Sequence, residues 1–189
     1  MESLLSIGLG LGLSAACGFR VFVPLLALGL AARFGHVHPS PGFEWVSSPA
    51  ALTALGAATA FEILAYYVPW LDHLLDTIAT PAAVIAGVLA SAAVLPDLPP
   101  ALRWGVSLIG GGGAAGLMQG ATVLLRLKSA ALTGGVANPV VSTVELIGAV
   151  GTAVLAITLP LVCIVLVVIM FVAVFRAAGR LRFGRGATT

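Results

Sequence analysis

The chain has 189 residues, 60% hydrophobic and 8% charged, with a formal net charge of +2 and a mean hydropathy of +1.13. A soluble domain carries about a quarter charged residues, so that class is excluded, and so small a net charge argues against nucleic acid as a partner. Cys17 and Cys163 both lie in apolar runs, which argues against a disulfide framework and for two small buried side chains.

The first apolar run extends from Leu4 to Ala32 and is followed by Arg33. Only Glu2 precedes it, so it lacks the basic leader of a cleaved signal. It is longer than a ~30 Å hydrocarbon core needs, and it is expected to tilt, kink or split into two half-helices. Ser14-Ala15-Ala16-Cys17-Gly18-Phe19-Arg20 lies in its middle, followed by Pro24. An arginine at that depth costs about 2.5–3.5 kcal/mol on insertion scales unless a polar group receives it. Gly18 and Pro24 loosen the helix around it. The loop from Arg33 to Ser48 carries His36, His38, two prolines and Trp45, which suits an interface. His36-x-His38 reads as a loop pair rather than a metal site.

Ser48-Pro49 starts a second span, Pro49–Pro69, with Glu62 well inside it. Tyr66, Tyr67 and Trp70 form an interfacial aromatic belt at its end. Asp72, His73 and Asp76 follow, the two carboxylates four residues apart on one helical face. They read as a solvated acidic helix start, with a divalent cation as the weaker alternative. The third span is Ala79–Leu95, ending at Pro96-Asp97-Leu98-Pro99-Pro100. The fourth, Ala101–Leu127, holds Gly110-Gly111-Gly112-Gly113, a sign of tight packing or a helix break, and then Gln119. Arg126 to Asn138 reads as a polar loop. Pro139–Phe175 is too long for one span and is divided by Pro160. It reads as two spans with a tight turn, or as a re-entrant half-helix plus one kinked span, and Glu145 lies near its start.

Six crossings put Arg126, Lys128, Arg176, Arg180, Arg182 and Arg185 on one side and Arg33 and Arg103 on the other. The positive-inside rule then places both termini in the cytoplasm. The halves also resemble each other. Gly12–Arg20 lies over Gly111–Gln119, Ser48-Pro49 over Asn138-Pro139, and Pro69 over Pro160. Each half would hold three crossings, 1–100 and 101–182, with a basic tail at 183–189. An odd number per half makes the second repeat inverted, a pattern found in transporters with the site where broken helices meet. The break in the first span is expected to face the fourth.

The stretch Gly12–Arg20 with Pro24, together with Ser48-Pro49, Glu62, Asp72, Asp76 and Thr80-Pro81, resembles a group of small bacterial inner-membrane proteins catalogued as a domain of unknown function. The resemblance covers most of the chain. It implies a multi-pass bacterial inner-membrane protein of this size and supplies no activity.

The fold expected is therefore an all-α polytopic transmembrane bundle with broken or re-entrant helices. Its expected partners are the lipid bilayer and a second copy packed through Gly-rich faces. The leading function is a small transporter or permease for a small polar or anionic substrate, without a cofactor. Arg20 would attract the anionic group, Glu62 or Glu145 would couple protons, and Ser14 and Gln119 would line the path. The alternatives are a scaffold or accessory subunit, and an enzyme acting on a lipid head group through Asp72, His73 and Asp76.

Overall fold

The computed structural model describes residues 2–95 and 98–183, excluding the side chains of 2, 69–76, 174–175 and 177–183. Among these residues there are helices and turns and no strand. The helices are α1 (Glu2–Cys17), α2 (Phe22–Arg33), α3 (Pro49–Ala65), α4 (Pro69–Ala92), α5 (Pro100–Val106), α6 (Gly113–Thr133), α7 (Asn138–Thr158) and α8 (Pro160–Phe183). A π-helical turn, Ser107–Gly112, joins α5 to α6. The three pieces form one helix of 34 residues.

Local chemistry sets most of these limits. The Ser48 side chain accepts from Ala51 N at 3.2 Å and Pro49 opens the helix, so α3 starts as expected. Its end comes at Ala65, short of Pro69, and α4 takes in the acidic segment that the sequence set apart. The fourth span does not stop at Leu127. It continues to Thr133, where Gly134 adopts φ 63° and ends the helix in the left-handed region.

The first apolar run is a hairpin and not one broken span. Leu5, Ser6 and Leu9 at the start of α1 share a cleft with His36, Val37 and His38, just beyond α2. A continuous helix would hold those two sets roughly 45 Å apart. The chain therefore turns at Gly18–Val21 and α2 returns to the end where α1 began, here the proximal end. Gly29 of α2 meets Leu52 of α3, and Val21 meets Glu62, so α3 runs back to the distal end. From there α4 descends, with Gly87 beside Ser14 and Ser91 beside Gly10. The α5–α6 helix rises and α7 descends. At Leu159 the chain folds back sharply, since Cys163 Sγ lies 3.8 Å from the carbonyl oxygen of Thr152, eleven residues earlier. This is the tight turn between two helices, and α8 then rises beside α1, with Pro160 at Gly8 and Cys163 at Gly12.

Two expectations change. The described chain makes seven helical passages in place of six, because the first run contributes two. The start of α1 and the end of α8 consequently lie at opposite ends of the bundle. The matched stretches Gly12–Arg20 and Gly111–Gln119 do pack together. Ser14 lies against Gly111, and Gly18 against Ala115, Met118 and Gln119. Both run from the proximal to the distal end, so this pair is parallel where an inverted repeat requires opposed directions.

Residues from α1, α2, α4, α6, α7 and α8 share one hydrophobic core, which joins the two sequence halves. Two helices are long and apolar enough to cross a membrane, Pro100–Thr133 and Asn138–Thr158. In α7 the buried face is Asn138, Ser142, Glu145, Ala149, Ala153 and Ala156, while Val140, Val144, Ile147 and Val154 are exposed. This reverses the arrangement of a helix on a soluble core, which turns its apolar stripe inward.

Candidate functional site

The turn between α1 and α2 forms for identifiable reasons. Gly18 has no Cβ, and one would meet Met118 Cβ and, at 2.5 and 2.9 Å, the backbone of Ala115 and Gln119. The chain can therefore press directly on α6 there. Pro24 falls in the first turn of α2, where a missing N–H costs no hydrogen bond. The N-terminus of α2 has no cap of its own. Glu62 of α3 supplies one: its Oε1 accepts from Val21 N at 2.7 Å and its Oε2 from Phe22 N at 3.1 Å. A carboxylate at a helix N-terminus also meets the positive end of the helix dipole.

Arg20 stands at the tip and is 2% exposed. Its Nη2 donates to the Ser142 carbonyl oxygen at 2.9 Å and to the Ser142 hydroxyl oxygen at 2.8 Å. Glu145 Oε2 lies 3.6 Å away. Glu145 is held more tightly by Arg126 of α6. The Arg126 Nε donates to Oε1 at 2.9 Å, and its Nη2 makes a closer contact with Oε2. The Cζ atoms of Arg20 and Arg126 lie 3.9 and 4.1 Å from the centroid of the Tyr66 ring. A desolvated cation–π contact of this kind contributes about 2 kcal/mol.

The buried charged side chains among the described residues are Arg20, Glu62, Arg126 and Glu145, and all four belong to this one cluster. The charges balance, two against two. Their hydrogen bonds do not. Arg20 Nε and Nη1 are buried with no hydrogen-bond partner among the described residues. A buried donor left in that state costs about 1–3 kcal/mol, more when charged.

Of the residues proposed from sequence, Arg20, Glu62 and Glu145 are thus brought together. Gln119 backs onto Gly18 and is buried, and its carbonyl oxygen accepts from Thr122 Oγ1 at 2.9 Å. Ser14 lies away from the cluster. Its hydroxyl is 2.7 Å from the carbonyl oxygens of both Gly10 and Gly87 and fastens α1 to α4 where small residues let them touch. The side chains of Asp72, His73 and Asp76 lie outside the described residues. His36 and His38 line the proximal cleft of about 440 Å3, far from Arg20 along the bundle. Among the described residues no group of three or more His, Cys, Asp or Glu could hold a metal ion.

Three members of the cluster are missed by the sequence reading. Arg126 reads as a loop charge because Lys128 follows it, yet α6 continues for two more turns. Tyr66 reads as an interfacial ring, and it is buried with 6% exposure. Ser142 is not singled out by the sequence at all. The available signals are Gly134-Gly135, a better helix end than Arg126, and Asn138-Ser142-Glu145, a polar stripe at helical spacing in an otherwise apolar segment.

No curated protein and no solved structure matches the chain. Residues 7–180 match the family described as Domain of unknown function (DUF4126), and the chain belongs to that family.

Proposed function

We propose that this is a multi-pass bacterial inner-membrane protein and a small permease for a small polar or anionic solute, with its binding centre at the tip of the α1–α2 hairpin. The membrane reading rests on the reversed polarity of α7 and on its two long apolar helices. Large side chains exposed along α6 and α8 are also apolar, among them Leu117, Leu124, Leu132, Val165 and Ile169. The basic residues Lys128, Arg176, Arg180 and Arg182 lie on the helices toward the distal end, four against Arg33 and Arg103 toward the proximal end. The positive-inside rule turns the distal end to the cytoplasm. The hairpin then enters from the outer face and returns to it, and the remaining passages cross.

The observation that carries the permease reading is Arg20 itself, a guanidinium buried at an interrupted helix with two nitrogens that have no hydrogen-bond partner among the described residues. Non-helical backbone at membrane depth is tolerated where protein buries it or where it lines a path. Interrupted helices in transporters place such groups at the substrate. Glu62 and Glu145 stay candidates for proton coupling, and both already serve as acceptors. The test is flux in proteoliposomes with phosphate, sulfate and acetate as probes. Wild-type protein is expected to carry at least one of them, and Arg20→Gln and Glu62→Gln to reduce that flux at least tenfold. Folded wild-type protein with no flux above empty vesicles would contradict the reading.

One observation favours a scaffold instead. Glu145 bridges two arginines and Glu62 caps α2, so much of the cluster serves to hold α2, α3, α6 and α7 together. In that case the Gly-rich outer faces would pack against a second copy, and purified protein would run as a stable oligomer without flux.

A further inference from the structure

We infer that Arg20 binds a small oxyanion, which it grips with Nε and Nη1; this rests on the permease reading and names its substrate class. A guanidinium carries five N–H donors. Two of them, on Nη2, go to Ser142. The three on Nε and Nη1 have no acceptor among the described residues. The carboxylate oxygens nearby are already engaged. Both Glu145 oxygens accept from Arg126, and both Glu62 oxygens accept from the backbone of α2.

What the site lacks is therefore acceptors for Arg20 Nε and Nη1, since its charges already balance. A cation or a pure donor ligand supplies none. A phosphate, sulfate or carboxylate supplies them, and guanidinium–oxyanion hydrogen bonds are among the strong ones. The site is also set to exchange. Arg126 holds Glu145 by two contacts and fixes it, while Arg20 reaches it only at the longer distance. An incoming oxyanion can take over Arg20 without stripping Glu145 from Arg126. The hairpin tip is held meanwhile by Ser142, Glu62 and the contact of Gly18 with α6.

The test is calorimetric titration of the full chain, purified in neutral detergent at constant ionic strength in chloride, with inorganic phosphate, sulfate and acetate. One saturable site per chain is expected for at least one probe. Arg20→Lys keeps the charge and loses the fork, so affinity should fall at least tenfold, and Arg20→Gln should abolish binding. Glu145→Gln removes the competing carboxylate, so affinity should rise and the probe should raise the melting temperature of this variant more than that of the wild type. Should Arg20→Gln fail to fold, the Arg20→Lys and Glu145→Gln comparisons carry the test. Binding seen only when phosphatidic acid is added to the micelles would identify a lipid phosphate as the oxyanion and remove the free-solute permease. Arg20-dependent binding without flux in proteoliposomes would leave the site standing and remove the permease. No binding of any of these, or binding equal in wild type and Arg20→Lys, would overturn the inference.

Discussion

Two glycine-containing stretches of the chain, Gly18–Val21 and Ser107–Gly112, resolve in opposite ways. At Gly18–Val21 the helix ends and the chain reverses. At Ser107–Gly112, with three of the four consecutive glycines in it, the helix widens by a π turn and continues unbroken into α6. The richer glycine run is the one that does not break. Glycine permits close approach, as where Gly111 meets the Gly87 carbonyl oxygen. Breaking a helix in an apolar surrounding requires new partners for the freed backbone groups. Such partners stand at the first stretch, where Glu62 takes the N–H groups of Val21 and Phe22. A reversal there is fixed from outside, by α3, α6 and α7.

This contrast can be broken in order of effect. Arg126→Met leaves Glu145 buried with only the distant Arg20, which should lower stability by about 3–5 kcal/mol. Unfolding in mixed micelles measures it, and Arg126→Met with Glu145→Met together should cost clearly less than the single change. Glu62→Leu removes the cap from α2 and leaves one buried and one part-buried N–H group without their acceptor, an expected loss of about 2–4 kcal/mol. Cysteine accessibility at a Val21→Cys reporter should rise with it. Gly111→Ala puts a Cβ 2.6 Å from Gly87 O and 2.7 Å from Ser91 Cβ, which overpacking should penalise by about 1–3 kcal/mol. Gly113→Ala, two residues on, meets nothing within 4 Å and should be neutral or stabilising by up to about 1 kcal/mol. Thermal unfolding of the two variants side by side separates packing from helix propensity. An equal loss in both would mean that the π turn itself, and not the contact, depends on glycine.

Helix content, the cap at Ser48, the division at Pro160 and the burial of Arg20 and Glu62 were legible in the sequence, because each follows from a local pattern or from the cost of a charge among apolar residues. The hairpin was not. Leu4–Ala32 is apolar throughout, and hydropathy carries no sign of direction, so a reversal inside an apolar run leaves no polar loop to mark it. Counting depth along straight segments puts Arg20 toward the outer half of a membrane and Glu62 toward the inner half. The observed reversal puts Val21 directly on Glu62 and removes that conflict. The partner of Arg20 was hidden for another reason. Ser142 lies 122 residues further along the chain, and only the packing of α7 on the tip brings it there. The similarity of Gly12–Arg20 to Gly111–Gln119 was real as a pattern of small residues. It reflects two helices that must approach closely, and not an inverted pair.

Everything proposed for Arg20 depends on the reversal at Gly18–Val21, so a distance across it is the most direct test. Cys17 and Cys163 are buried, so spin labels at Ser6→Cys and His38→Cys can be read selectively in lipid-reconstituted protein. Both positions line one cleft, and the account predicts a short distance between them. A separation of roughly 45 Å, the length of an unbroken helix over these residues, would contradict it.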